Sequence, residues 1–156
     1  MGHIHEKIDL TVGVFIVHNN KVLIRLHEKY HIWLAVGGHV ELDEDANQAA
    51  IREAKEEVGL DITLIPPPHI TNLEANARGE GYKELVPPFY MNIHQINEVH
   101  QHLDLIFIAT CETDEVVPEK ADDTWLWLTK DEIETRTDFL PDIKRSALMA
   151  LETVKK

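Results

Sequence analysis

The strongest constraint on this chain is one turn of predicted helix that carries three glutamates. Asp45 stands three residues before Gln48, a capping-box start, and Gly59 after Val58 is a left-handed stop, so the spacing predicts a helix over Ala46–Val58. On a helical period Ala50, Ile51, Ala54 and Val58 share a stripe, the expected buried face, while Gln48 and Lys55 point the opposite way. Glu53 and Glu57 stack one turn apart along the edge of that stripe. Glu56 lies on the same flank, one turn from Arg52 and placed to pair with it.

Two carboxylates about 6 Å apart repel by about 3 kcal/mol at an effective dielectric near 20, and a single arginine does not cancel that for three acids. A cation is called for. Oxygen donors on a helix with no cysteine and no paired histidines favour Mg²⁺ or Mn²⁺ over zinc, and Mg²⁺ usually binds through a few carboxylates plus substrate phosphates. Taken alone, Glu-x-x-Glu-Glu is more often a solvated acidic face, so its surroundings decide.

Those surroundings are Gly38, then Glu44, then Arg52-Glu53-Ala54-Lys55-Glu56-Glu57-Val58-Gly59-Leu60. The pattern resembles the Nudix box at every defined position, with Val36 standing where many members have proline before the glycine pair. The resemblance implies an α/β fold, an α/β/α sandwich with a mixed sheet, the box helix and a C-terminal helix. It also implies an enzyme, a Mg²⁺- or Mn²⁺-dependent pyrophosphohydrolase acting on a nucleoside diphosphate linked to another group, either a nucleoside triphosphate or a nucleotide conjugate. Carried over residue by residue, Glu56 and Glu57 are metal ligands, Glu53 is a ligand or general base, and the Gly38 carbonyl is a further ligand. Arg52 orients the acids, and Glu44 braces the site or touches metal through water. Members often bring further groups from outside the box, for which Glu98 and Asp104 are candidates. The same fold also hosts ligand-sensing modules and isomerases of diphosphate substrates. Loss of a box acid would mark the first, and none is lost; phosphate release separates the second.

A chain of 156 residues, 44% of them apolar, is expected to form one domain over 1–156 with a core that requires no staple. Its formal charge of −13 opposes the basic field that long nucleic acids require, which also counts against RNA decapping. A small nucleotide must therefore be neutralised locally, by metal ions and one or two positioned basic residues. The lone Cys111 excludes an internal disulfide and reads as a small buried residue late in a strand. MGHIHEKIDL has no apolar signal region, Glu6 breaks the myristoylation pattern, and no apolar run is long enough to span a membrane, so a cytoplasmic location is expected.

Along the chain, Lys7 to His18 and Lys21 to His27 read as a hairpin turning at Asn19-Asn20. His27 and His31 flank a short polar loop, and Trp33 packs it or stacks on a base. Asp61 to Ile65 is a short strand stopped by Pro66-Pro67-Pro68. Arg78-Gly79-Glu80-Gly81 is a loop tip. Strands follow around Phe89 to Ile93, over His100 to Thr110, and, after a charged loop over Glu112 to Asp123, over Thr124 to Leu128. Thr129 and Glu132 form a capping box that opens a short helix, and Pro141 opens a final helix to about Val154.

Outside the box, Arg25 is either a solvated edge residue or a phosphate clamp, with Arg78 as the next basic candidate. His100, His102 and Asp104 alternate onto one face of their strand. About 7 Å apart in a line, they suit substrate contact better than one tetrahedral ion. A solvated strand end is the competing reading.

Overall fold

The computed structural model describes residues 6–27, 30–74, 78–121 and 123–155. Residues 1–5, on which the absence of a signal region was read, and parts of the loops over 69–80 and 112–123 lie outside them. Among the described residues no helix is long and apolar enough to cross a membrane.

The chain opens with β1 (Ile8–His18) and β2 (Lys21–His27), joined by Asn19 and Asn20 at φ 46° and 60°. Both central residues in the left-handed region make the primed hairpin turn that asparagine tolerates. Next come β3 (Ile32–Leu34), β4 (Val36–His39), α1 (Ala46–Val58) and β5 (Ile62–Ile65). The second half contributes β6 (Tyr90–Asn97), β7 (His100–Cys111), β8 (Thr124–Leu128), α2 (Lys130–Thr135) and α3 (Pro141–Thr153). The helix capped by Asp45, the Thr129 capping box and the Pro141 start fall where the sequence put them.

One eight-stranded mixed sheet runs β3-β2-β1-β7-β5, with β4 on β1, β6 on β7 and β8 on β2. Among the described strands only β1 and β7 pair in parallel, from Ile8↔Gln101 to Val17↔Thr110. The middle of this pair, residues 11–17 of β1 and 106–109 of β7, is buried, so that part of β1 reads as a largely apolar run. Val14, Ile16, Leu23 and Phe107 pack against Ala50, Ala54 and Val58 of α1 on one face. Phe15, Ile24, Ile106 and Ile108 pack against Ile133 of α2 and Ile143 and Ala147 of α3 on the other. This is an α/β sandwich with the sheet as its middle layer.

The structure refines three sequence readings. The Gly37-Gly38 segment, whose paired glycines suggest a loop at the start of the box, is strand β4, paired antiparallel with β1 from Thr11↔His39 to Val14↔Val36. Glycine carries no strand propensity, so tertiary pairing alone makes this a strand. Similarly, Ile32–Leu34 is a strand, and its Trp33 is a packing residue that donates to Asp138 at 2.8 Å and lies beside Phe139. Ile51 is turned out and 46% exposed, because the buried face of α1 is rotated toward Ala49 and Glu57. Small alanines let the helix lie close to the sheet, and the carboxylate of Glu57 finds partners there.

Candidate active site

Helix α1 presents Arg52, Glu53, Glu56 and Glu57 beside β4, and Arg52 gathers most of them. Its Nη2 donates to Glu44 Oε1 at 2.7 Å and to the His39 carbonyl at 2.9 Å, and its Nε donates to Glu44 Oε2 at 3.1 Å. Its Nη1 donates to Glu53 Oε1 and to Glu56 Oε2, each at 2.9 Å. A planar fork of five N–H groups is the side chain that can serve three acids at once. The Arg52 bond holds Glu44 below the usual carboxylate range, and Glu44 in turn, with Glu56 and Glu53 adding, holds Arg52 above its ordinary value.

Glu57 is held differently. Its Oε1 accepts from Arg25 Nη1 at 2.6 Å and its Oε2 from the Gly37 N–H at 3.0 Å. Burial nevertheless pushes it up to about 7, with Glu53 and Asp123 adding to the rise. Burial also raises Glu53, against the pull of Arg52. Glu56 is the open member: its side chain is 57% exposed against 13% for Glu53. A Cβ at position 38 would stand 2.2 Å from Glu53 Oε1, so the glycine leaves room for that carboxylate where it now lies.

Arg25 does not stand free. It bridges Glu57 to Asp123, whose oxygens it reaches at 3.1 and 3.2 Å, and lies over the Trp125 ring at 5.5 Å. Its Nε and the Trp125 Nε1 are buried without a hydrogen-bond partner, two donors that a ligand or water can satisfy. The sequence pointed to neither Asp123 nor Trp125 as site residues; Asp123 is one of many acids in its loop. Arg78 lies over Tyr82, and Glu98 is exposed on the turn between β6 and β7.

On the other face of the sheet β1, β4, β6, β7 and α3 line a cavity of about 480 Å³ that reaches Gly37 and Gly38. His102 and Asp104 line it, with His39, His94 and Asn92, which the sequence did not single out. Asp104 accepts from Thr11 Oγ1 at 2.7 Å, and burial, with the charges of His39, His94 and His100 adding, pushes His102 down. His100 stands two residues before His102, at the start of β7, its Nε2 3.1 Å from Asp9 Oδ2.

The model of the NUDIX domain matches residues 7–149. This chain belongs to the NUDIX family. A NUDIX-family hydrolase from Clostridium perfringens superposes at a TM-score of 0.83 with 34% identity, covering 94% of this chain and 98% of its own. A MutT NUDIX hydrolase from Burkholderia pseudomallei (TM-score 0.61, 18% identity, 96% of this chain and 100% of that one) shares the fold. So does an ADP-ribose pyrophosphatase from Streptococcus suis (0.58, 14%, 95% and 92%). No curated protein matches the chain. As a NUDIX hydrolase it is an enzyme of a family that generally cleaves pyrophosphate in nucleotide-like substrates and typically uses divalent metals.

The raised acids give a stability signature. A carboxyl whose folded pKa lies above its unfolded value stabilises the fold fully at low pH, and that contribution is lost as pH rises through the folded value. For Glu57 the window runs from its ordinary value of 4.5 to about 7. In EDTA, the melting temperature should therefore fall between about pH 5 and pH 8, by an amount equivalent to roughly 3 kcal/mol at most. Saturating Mg²⁺ should shrink the fall. A melting temperature that is flat over that range in EDTA would count against a strained Glu57.

Proposed function

We propose that this NUDIX hydrolase cleaves a pyrophosphate bond in a nucleoside diphosphate joined to another group, a nucleoside triphosphate or a nucleotide conjugate, with Mg²⁺ or Mn²⁺ as cofactor. The observation that carries the reading is the crowding of Glu44, Glu53, Glu56 and Glu57 around just two guanidiniums, with the Gly38 backbone set directly against Glu53. All-oxygen donors of this kind fit Mg²⁺ or Mn²⁺. Glu53, Glu56, Glu57 and the Gly38 carbonyl would hold the ion. When bound, it neutralises phosphate oxygens and lowers the pKa of the attacking water.

The chain's own part is orientation and proton handling. Arg52 fixes Glu53 and Glu56 relative to one another, and Glu44 fixes Arg52. Arg25 and the Gly37 N–H aim Glu57. Glu53, buried enough to be raised, is the acid suited to take a proton from water if it is not itself a ligand. Arg25, which already reaches Glu57, is the basic group that meets a substrate phosphate, and the His102 and Asp104 wall, with His100 beyond it, contacts the group the nucleotide carries. The occupant is a small molecule, and long nucleic acid remains disfavoured by the charge of −13.

The test is a screen of nucleoside triphosphates, nucleotide sugars and ADP-ribose with Mg²⁺, each repeated in excess EDTA, reading released phosphate and nucleotide. Activity on at least one compound, lost with the chelator, is expected. Undiminished turnover in EDTA would sink the metal assignment, and conversion without phosphate release would point to isomerisation. His102→Ala should raise KM or reorder the substrate ranking while changing kcat for the best remaining substrate less, the pattern of lost ground-state binding. An intact profile with only a lower melting temperature would make His102 a structural residue.

A further inference from the structure

The pairing of four strands assembles a second donor set that the box does not use. Register places Asp9 of β1 beside His102 of β7, His94 of β6 beside His102 on the other side, and His39 of β4 beside Thr11 of β1. Because side chains alternate along a strand, Asp9 and Thr11 share a face, and the imidazoles fall on that same side of the sheet. The rings of His39, His94 and His100 lie 4.9, 5.6 and 5.2 Å from that of His102.

Asp9 is the hub of this group. Its Oδ2 is 3.1 Å from His100 Nε2 and 3.4 Å from His39 Nε2. One ligand atom each from Asp9, His100 and His102 all lie within 4.8 Å of one another. Four donors about 2.05 Å from a tetrahedral Zn²⁺ stand about 3.3 Å apart, which the Asp9–His100 and Asp9–His39 separations already match. Along β7 alone the residues stand in a line. The strand partners bend that line into a cluster, with Asp9 and His39 closing it from the neighbouring strands.

We propose that Asp9, His39, His100 and His102 form a binding site for one borderline transition-metal ion of the Zn²⁺ class, separate from the all-oxygen site of the box. The chemistry of the donors makes the distinction: imidazole with a single carboxylate selects zinc-like ions, whereas carboxylates and carbonyls select Mg²⁺ and Mn²⁺. The ion would tie β1, β4 and β7 together. It would also sit where His39 and His102 border the cavity, presenting positive charge to an anionic group entering there.

The 156-residue chain, titrated with Zn²⁺ and separately with Co²⁺ in a large excess of Mg²⁺, tests the assignment. One equivalent of Zn²⁺ should bind, and Co²⁺ should give the visible absorption of a tetrahedral complex. Asp9→Asn, His39→Gln and His100→Gln, one substitution on each of three strands, should each weaken Zn²⁺ binding by at least about tenfold. Glu56→Gln should leave it unchanged. Melting curves identify any variant that does not fold, and the remaining two then carry the test. The proposal is overturned if no Zn²⁺ binds in excess Mg²⁺, if the folded variants bind it like the unaltered chain, or if Glu56→Gln abolishes it. None of these results bears on whether the box hydrolyses nucleotides, which the EDTA screen reads independently.

Discussion

Glu57→Gln should lower turnover by at least about 10²-fold while leaving the protein folded, the scale at which a lost electrostatic contact to the transition state acts. The substitution keeps the shape of the side chain and removes one charge from the cluster. Glu57 accepts on both oxygens, from Arg25 and from the Gly37 N–H. An amide offers only one acceptor, so its NH₂ must face one of these donors, at a cost of about 1–3 kcal/mol. Against that, the variant no longer buries a carboxylate that burial pushes up to about 7. The two effects oppose, and a domain with stability of about 5–15 kcal/mol survives their difference. Circular dichroism and a thermal melt check the fold; kcat on the best substrate of the Mg²⁺ screen checks the chemistry. Near-normal kcat would mean that this carboxylate braces Arg25 and takes no part in catalysis.

What could be read before the structure was known divides along a physical line. Local signals succeeded: the cap at Asp45, the stop at Gly59 with φ 71°, and the Asn19-Asn20 turn all depend on residues adjacent in the chain. The Arg52–Glu56 pair is of the same kind, one turn apart on a helix. Long-range partners were invisible. Nothing in the composition of the acidic loop marks Asp123 as the residue that shares Arg25 with Glu57, and nothing local to β7 says that Asp9 will lie beside His102. That pairing is parallel, so no hairpin turn betrays its register. Strand β4 failed for another reason. Its two glycines erase the apolar alternation that marks a strand, yet glycine is what lets this segment lie between β1 and the acids of α1.

That close approach makes the glycine pair sensitive to substitution, and the two positions should fail in different ways. A Cβ on Gly37 would stand 2.0 Å from the carbonyl oxygen of Val12 and 3.1 Å from the Cα of Gly13. Both are backbone atoms of the paired strand, so no rotamer change relieves the overlap; β4 must move off β1. Gly37→Ala should therefore cost more than about 3 kcal/mol and leave little soluble folded protein. At Gly38 the obstacle is a side chain: Glu53 Oε1 at 2.2 Å, Cδ at 2.5 Å and Oε2 at 2.8 Å. A carboxylate can swing away, so Gly38→Ala should fold, with a melting temperature lowered by a few degrees, equivalent to about 1 kcal/mol. Yet the displaced group is the one held against Arg52 and proposed as ligand or base. Misplacing such a group by about 1 Å can cost about 10²-fold in rate, so kcat should fall by that order in a protein whose circular dichroism is unchanged. Measuring soluble yield, melting temperature and kcat for both variants separates the two mechanisms. If Gly38→Ala retains full activity, Glu53 is not held in place for catalysis; if Gly37→Ala folds normally, β4 is not fixed against β1 as closely as its register requires.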